Sequence, residues 1–107
     1  MKYSKLLRWA AEPVTDENRD FIDIWYSSLE SNEELDVLAI WLAQSFVAGE
    51  VKYDIANILF NQIMPVVGFD EAPKVFWSFY SAFEDFEFSK KPDEEAIDRI
   101  RRELATL

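Results

Sequence analysis

The sequence predicts an all-α fold, a compact bundle of about six helices forming a single domain over residues 1–107. Three observations carry that prediction. Apolar residues recur at helical rather than alternating spacing along nearly the whole chain. Only two glycines and four prolines are present, too few for the many tight turns of an all-β chain of this length. Half the residues are hydrophobic and 16 % are aromatic, which supplies a core and excludes a disordered acidic tail.

The elements follow in order. Tyr3, Leu6, Leu7 and Ala10 repeat at helical spacing as far as Pro13, before which the backbone tends to leave the α region. Thr15 is placed to cap a second helix, with Asp16 and Glu17 in its first turn and Phe21, Ile22, Trp25 and Leu29 on its core face. Ser31 and Glu34 have the spacing of a capping box, the clearest helix start in the chain. The helix that follows, over about residues 33–48, ends at Gly49 as its C′ residue. Leu35, Leu38, Leu42 and Phe46 form one stripe, and Val37, Ile40, Trp41 and Val47 cover much of the other side. A helix apolar nearly all round is buried nearly all round, so this one belongs at the centre of the bundle.

A fourth helix is expected from Val51 to Met64, with Val51, Ile55, Ile58, Leu59 and Ile63 inward and Pro65 as its stop. Asp70 then reads as an N-cap, with Pro73 in the first turn. The aromatic run from Val75 to Phe86 has strand-like composition. Yet Ala72, Val75, Phe76, Phe79, Phe83 and Phe86 gather on one side of a helix, and no partner strand is evident. Helix is the consistent assignment. After a break at Lys90-Lys91-Pro92-Asp93, a last helix carries Ile97, Ile100, Leu104 and Leu107.

Charge is distributed unevenly along this scaffold. Between Glu12 and Glu87 there are 16 acidic residues against three basic ones, Arg19, Lys52 and Lys74. Residues 1–11 are purely basic, and residues 88–107 balance at five of each sign. Such a field attracts basic partners and repels nucleic acid and anionic membrane. The chain has no histidine and no cysteine, which excludes Ser–His and Cys–His nucleophiles, His/Cys zinc sites and disulfides. No phosphate-binding loop, EF-hand or dinucleotide fingerprint is present. An enzyme is therefore not expected, nor is a cofactor, and a metal site among Asp16, Asp20 and Asp23 is not expected either. The longest uncharged run, Val37–Gly49, is 13 residues, short of the roughly 20 that span a bilayer. With no secretory signal visible, a cytoplasmic protein without membrane association is expected.

Three acidic patches are candidates for binding a partner. Asp16, Asp20 and Asp23 would share one face of the second helix, and like charges so stacked cost a few tenths of a kcal/mol. Glu30, Glu33, Glu34 and Asp36 surround the following turn, where capping accounts for Glu33 and Glu34 but not for Glu30 or Asp36. In the aromatic helix, Trp77 and Tyr80 point away from the core stripe beside Glu84, with Asp85, Glu87 and Phe88 close by. Aromatics with a polar tip are enriched in binding hot spots, and neighbouring acids add steering.

In size, charge, helicity and lack of catalytic groups the chain resembles the small acidic immunity proteins that bacteria make against bacteriocin and contact-dependent-inhibition nuclease toxins. The resemblance implies an antitoxin that holds a basic nuclease toxin domain in a 1:1 complex in the cytosol. The paired tyrosines of the colicin DNase immunity proteins have no counterpart, Trp25-Tyr26 and Phe79-Tyr80 being only loosely similar, so no binding residue is carried over. Two other readings stay open: a DNA mimic, and a helical adaptor or regulatory subunit that binds a protein groove.

Overall fold

The helical spacing of the sequence becomes seven helical segments in the computed structural model, which describes residues 3–107. These are α1 (Ser4–Ala11), α2 (Phe21–Ser27), α3 (Glu33–Val47), α4 (Tyr53–Val67), α5 (Lys74–Glu84), α6 (Pro92–Glu95) and α7 (Ile97–Ala105). Because α6 is a single turn leading into α7, the architecture is the expected all-α bundle of about six helices. The described residues contain no strand.

α3 lies at the centre, packed most extensively on α5 and also on α7 and α4, while α4 carries α1 and α2 on its other side. Leu35, Leu38, Ala39, Leu42 and Ala43 are fully buried along α3. Val37 is an exception to the all-round burial expected of this helix, at 50 % exposed. The chain reverses at Gly49 (φ +80°), where Glu50 N–H donates to Ser45 O (2.9 Å) and Gly49 N–H to Phe46 O (3.0 Å). This paired closure is a Schellman motif, and it needs the left-handed residue that glycine supplies most cheaply. At the other end, Glu34 Oε2 accepts from Glu30 N–H (2.7 Å) and Ser31 Oγ accepts from Glu33 N–H (3.0 Å). The expected capping box is only half made: Glu34 reaches back to the N–H groups of Glu30 and Ser31, but Ser31 Oγ bonds Glu33 rather than Glu34, and the N-cap itself is Asn32, whose side chain makes no cap bond.

The core is largely aromatic. Phe46, Tyr53, Phe83, Phe60 and Phe76 form a column of rings from α3, α4 and α5, with successive centroids 5.1–6.2 Å apart. Each such pair contributes about 0.5–1.5 kcal/mol beyond its buried area. The buried Tyr53 hydroxyl donates to the Phe83 carbonyl near the end of α5. A radius of gyration of 13.2 Å is close to the ~13 Å of a well-packed chain this long.

Two aspartates close helix N-termini from across the bundle. Asp36 Oδ1 on α3 accepts Phe76 N–H of α5 at 2.8 Å, and Asp93 Oδ1 on α6 accepts Tyr53 N–H of α4 at 2.8 Å. Phe76 is the third residue of α5, whose N–H an N-cap side chain ordinarily accepts. The N-cap of α5 is Pro73, with no side-chain acceptor. Asp36 supplies the missing group and places negative charge at the positive end of the helix dipole.

Four boundaries differ from expectation. Thr15 does not cap α2: its N–H donates to Asn18 Oδ1 (2.6 Å), Asn18 Nδ2 donates to Pro13 O (3.1 Å), and Trp9 Nε1 holds Asn18 O (2.9 Å). Residues 16–20 are therefore turns, and α2 begins only at Phe21. α4 runs through Pro65 to Val67, because a proline in the last turn forfeits one helical bond and Gly68 (φ +94°) then closes the helix. Its inward face is also rotated. Ala56, Phe60 and Met64 are buried with Leu59 and Ile63, whereas Ile55 is half-buried and Ile58 is at the surface, since the ring column draws Phe60 inward. Asp70 caps nothing, because residues 69–72 form a turn and α5 starts after Pro73. Leu107 ends up beyond α7 and exposed.

Candidate functional site

α5 divides its side chains between two surfaces. Phe76, Phe79 and Phe83 are buried, while Trp77 is 43 % exposed and Tyr80 is half-buried. The positions interleave because residues three or four apart share a helix face. Phe69, just before α5 and 55 % exposed, completes a three-ring cluster with them. Trp77 stacks on Tyr80 (5.6 Å, interplanar 28°), and Phe69 meets both nearly edge-on at 6.1 and 5.9 Å (78° and 80°). The three rings thus pack on one another at a partly exposed surface.

Glu84 lies one turn beyond Tyr80 on the same face. Its carboxyl is held above its ordinary range, chiefly by burial; a hydrogen bond from the Asn61 side chain opposes that rise, and the Glu87 charge adds to it. Asn61 sits on α4, where its Nδ2 also donates to Asn57 O at 2.9 Å. Glu84 Oε1 and Asn57 Oδ1 are buried acceptors with no hydrogen-bond partner among the described residues. Burying an acceptor unpaired costs on the order of 1–3 kcal/mol. The charges of Glu84 and Glu87 also act on the hydroxyls of Tyr53 and Tyr80, raising both, although burial is the larger cause in each. Among the described residues no ion pair reaches Glu84 or Glu87. Just past Glu87, Phe88 is 94 % exposed.

The structure thus gathers Trp77, Tyr80, Glu84 and Glu87 into one region and adds Phe69, Asn57 and Asn61 to it. Sequence reading passes over those three, since Phe69 looks like a loop residue and the two asparagines look like solvated helix positions. The spacing of Asn57 and Asn61 by one helical turn is the sign that could have found them. Asp85 is turned toward α7, with Arg99 Nε 4.0 Å from its carboxylate.

The other two patches do not form as expected. Asp16 and Asp20 lie in the turns before α2, and only Asp23 is on the helix, so the three do not share a helical face. Asp16 instead pairs with Arg19 at 2.9 Å, both well exposed, a contact worth little. Of the turn acids, Asp36 is the cap of α5 rather than a free surface charge, and Glu34 serves the start of α3. Glu30 and Glu33 remain exposed.

A separate depression of about 360 Å³ between α5 and α7, lined by Lys74, Ser78, Glu103 and Thr106 among others, shares no residue with the aromatic region. Among the described residues no group of three or more carboxylates could hold a metal ion, and no helix is long and apolar enough to cross a membrane. No protein-family model, curated protein or solved structure matches the chain.

Proposed function

We propose that this protein is a binding protein of the antitoxin or immunity type, which neutralises a basic partner, most simply a nuclease toxin domain, by docking through the α4–α5 face. The observation that carries the proposal is the Phe69/Trp77/Tyr80 cluster set beside Glu84 and Glu87, two acids that no ion pair among the described residues reaches. Exposed aromatics supply area at little entropic cost, and the acids supply steering and register. The overall charge of −10 adds long-range attraction for a cationic surface. Nucleases fit that description, because contacts to phosphate require a basic substrate surface.

The test is to read the neighbouring reading frame and, where it encodes a protein with a basic C-terminal domain, to reconstitute that domain with this protein; a neighbour without one counts against the proposal. A 1:1 complex is expected, with nuclease activity titrated out stoichiometrically. Association should slow steeply when salt is raised about six-fold, as charge-steered encounters do. Trp77→Ala combined with Glu84→Lys should weaken the complex while helical circular dichroism is unchanged. Affinity unmoved by this double change would show that the α4–α5 face is not the docking surface.

A further inference from the structure

Resting on the docking face proposed above, we infer that its occupant is an arginine side chain of the partner, stacked on the Trp77/Tyr80 rings with its guanidinium turned to Glu84. Lysine fits the geometry less well. The chemistry on this face has two parts: flat aromatic surface and carboxylate. Trp77 and Tyr80 present stacked rings, and Phe69 stands edge-on to both as a wall. Glu84 lies one helical turn further along α5. Its side chain is half-buried: Oε1 is closed to solvent and, among the described residues, has no donor, so a partner meets only the exposed part of the carboxylate.

A guanidinium answers both. It is planar and weakly hydrated, it stacks on aromatic faces, and its N–H donors pair with a carboxylate at the edge of the stack. A lysine ammonium is a compact, strongly hydrated charge that does not stack on the rings. Charge complementarity points the same way, since no ion pair within the described residues reaches Glu84 or Glu87. The partner therefore brings the counter-charge. A wholly apolar partner would leave the Glu84 carboxyl buried more deeply and still unpaired, which is unfavourable.

Two blocked peptides of equal charge test this, one alternating arginine with glycine and one alternating lysine with glycine, titrated into the isotope-labelled protein. The arginine peptide should shift the Trp77 indole and Asn61 side-chain amide resonances and bind about three- to five-fold more tightly than the lysine peptide. Trp77→Leu, which keeps apolar bulk but removes the ring face, should bring the arginine peptide down to the lysine level. Trp77→Phe should restore part of the difference. Glu84→Gln should weaken both peptides while leaving the chemical-shift pattern of the fold intact. Equal affinity of the two peptides at the Trp77 face would overturn the arginine assignment while leaving the docking face standing. Shifts confined to the Glu30–Asp36 turn, or absent altogether, would overturn both.

Discussion

Replacing Asp36 with alanine isolates what one carboxylate contributes from a distance. In the folded protein Asp36 Oδ1 accepts the Phe76 N–H at 2.8 Å, half-buried between α3 and α5. The alanine variant leaves that N–H without its acceptor at a helix start whose N-cap, Pro73, has none to offer. Losing an N-cap acceptor costs about 1 kcal/mol, and losing the negative charge at the dipole adds about 0.3–1 kcal/mol. A partly buried charge-assisted bond raises the sum to about 2 kcal/mol. Chains of this size unfold with an entropy of about 2.1 cal/mol/K per residue, so the melting temperature should fall by about 9 °C. Asp36→Asn keeps an acceptor but not the charge, and should lose roughly half as much. Thermal unfolding followed by far-UV circular dichroism at neutral pH measures both. A fall of less than about 2 °C for Asp36→Ala would refute the cap across helices. Asp36 would then be free to act as a surface charge, as its sequence position alone implies.

Three further outcomes are expected. The folded state holds the Glu84 proton more tightly than the unfolded chain, so this group's contribution to stability is lost as pH rises through its folded value and is fully present below the ordinary value of 4.5. Glu84→Gln should therefore stabilise the fold at neutral pH, by about 1 kcal/mol, and flatten the pH dependence of thermal unfolding over the mildly acidic range; a loss of stability at neutral pH would contradict the burial argument. Tyr53→Phe strips the Phe83 carbonyl of its buried donor and should cost about 1–2 kcal/mol in chemical denaturation with an unchanged m-value. Phe60→Ala opens the ring column between Phe76 and Phe83 and should cost about 3–5 kcal/mol, a large part of the ~5–15 kcal/mol available to such a domain, whereas Trp77→Ala should move the melting temperature by no more than about 2 °C.

The Glu84 prediction sets stability against binding. A carboxyl that weakens the free protein, and gains only when a cation arrives, is the kind of compromise found where a site is kept ready for a ligand.

Much of the fold was legible because periodicity reports burial directly. The centre of the bundle, predicted over about residues 33–48, is α3 at Glu33–Val47, and its closing glycine lies at the predicted C′ position. The aromatic segment reads correctly as a helix because Phe76, Phe79 and Phe83 share a face. What local pattern could not reveal was decided by contacts remote in the chain or by side chains competing with the helix. Asn18 ties Thr15 into a turn and delays α2, so the aspartate face expected there never forms. Phe60 packs inward against rings of α5, and the face of α4 shifts so that Ile55 and Ile58 move outward while Leu59 and Ile63 stay buried. The bond of Asp36 spans 40 residues, and no spacing rule would connect it to Phe76. In the site, Trp77, Tyr80 and Glu84 were readable from one helix, whereas Phe69, Asn57 and Asn61 required the α4–α5 packing to bring them alongside.

The interleaving of positions along α5 has a consequence for how the protein can change over generations. Phe76, Phe79 and Phe83 face the interior, and Trp77, Tyr80 and Glu84 face the neighbouring surface. On the proposed docking reading, substitutions at the surface positions would revise which partner is recognised while the ring column continues to hold the helix in place. Such a helix can accumulate new specificities in small steps, each tolerated before it is useful. The least free of the three is Glu84, because its link to Asn61 ties any change there to α4 as well. A lineage exploring new partners would be expected to vary positions 77 and 80 first, and positions 61 and 84 together.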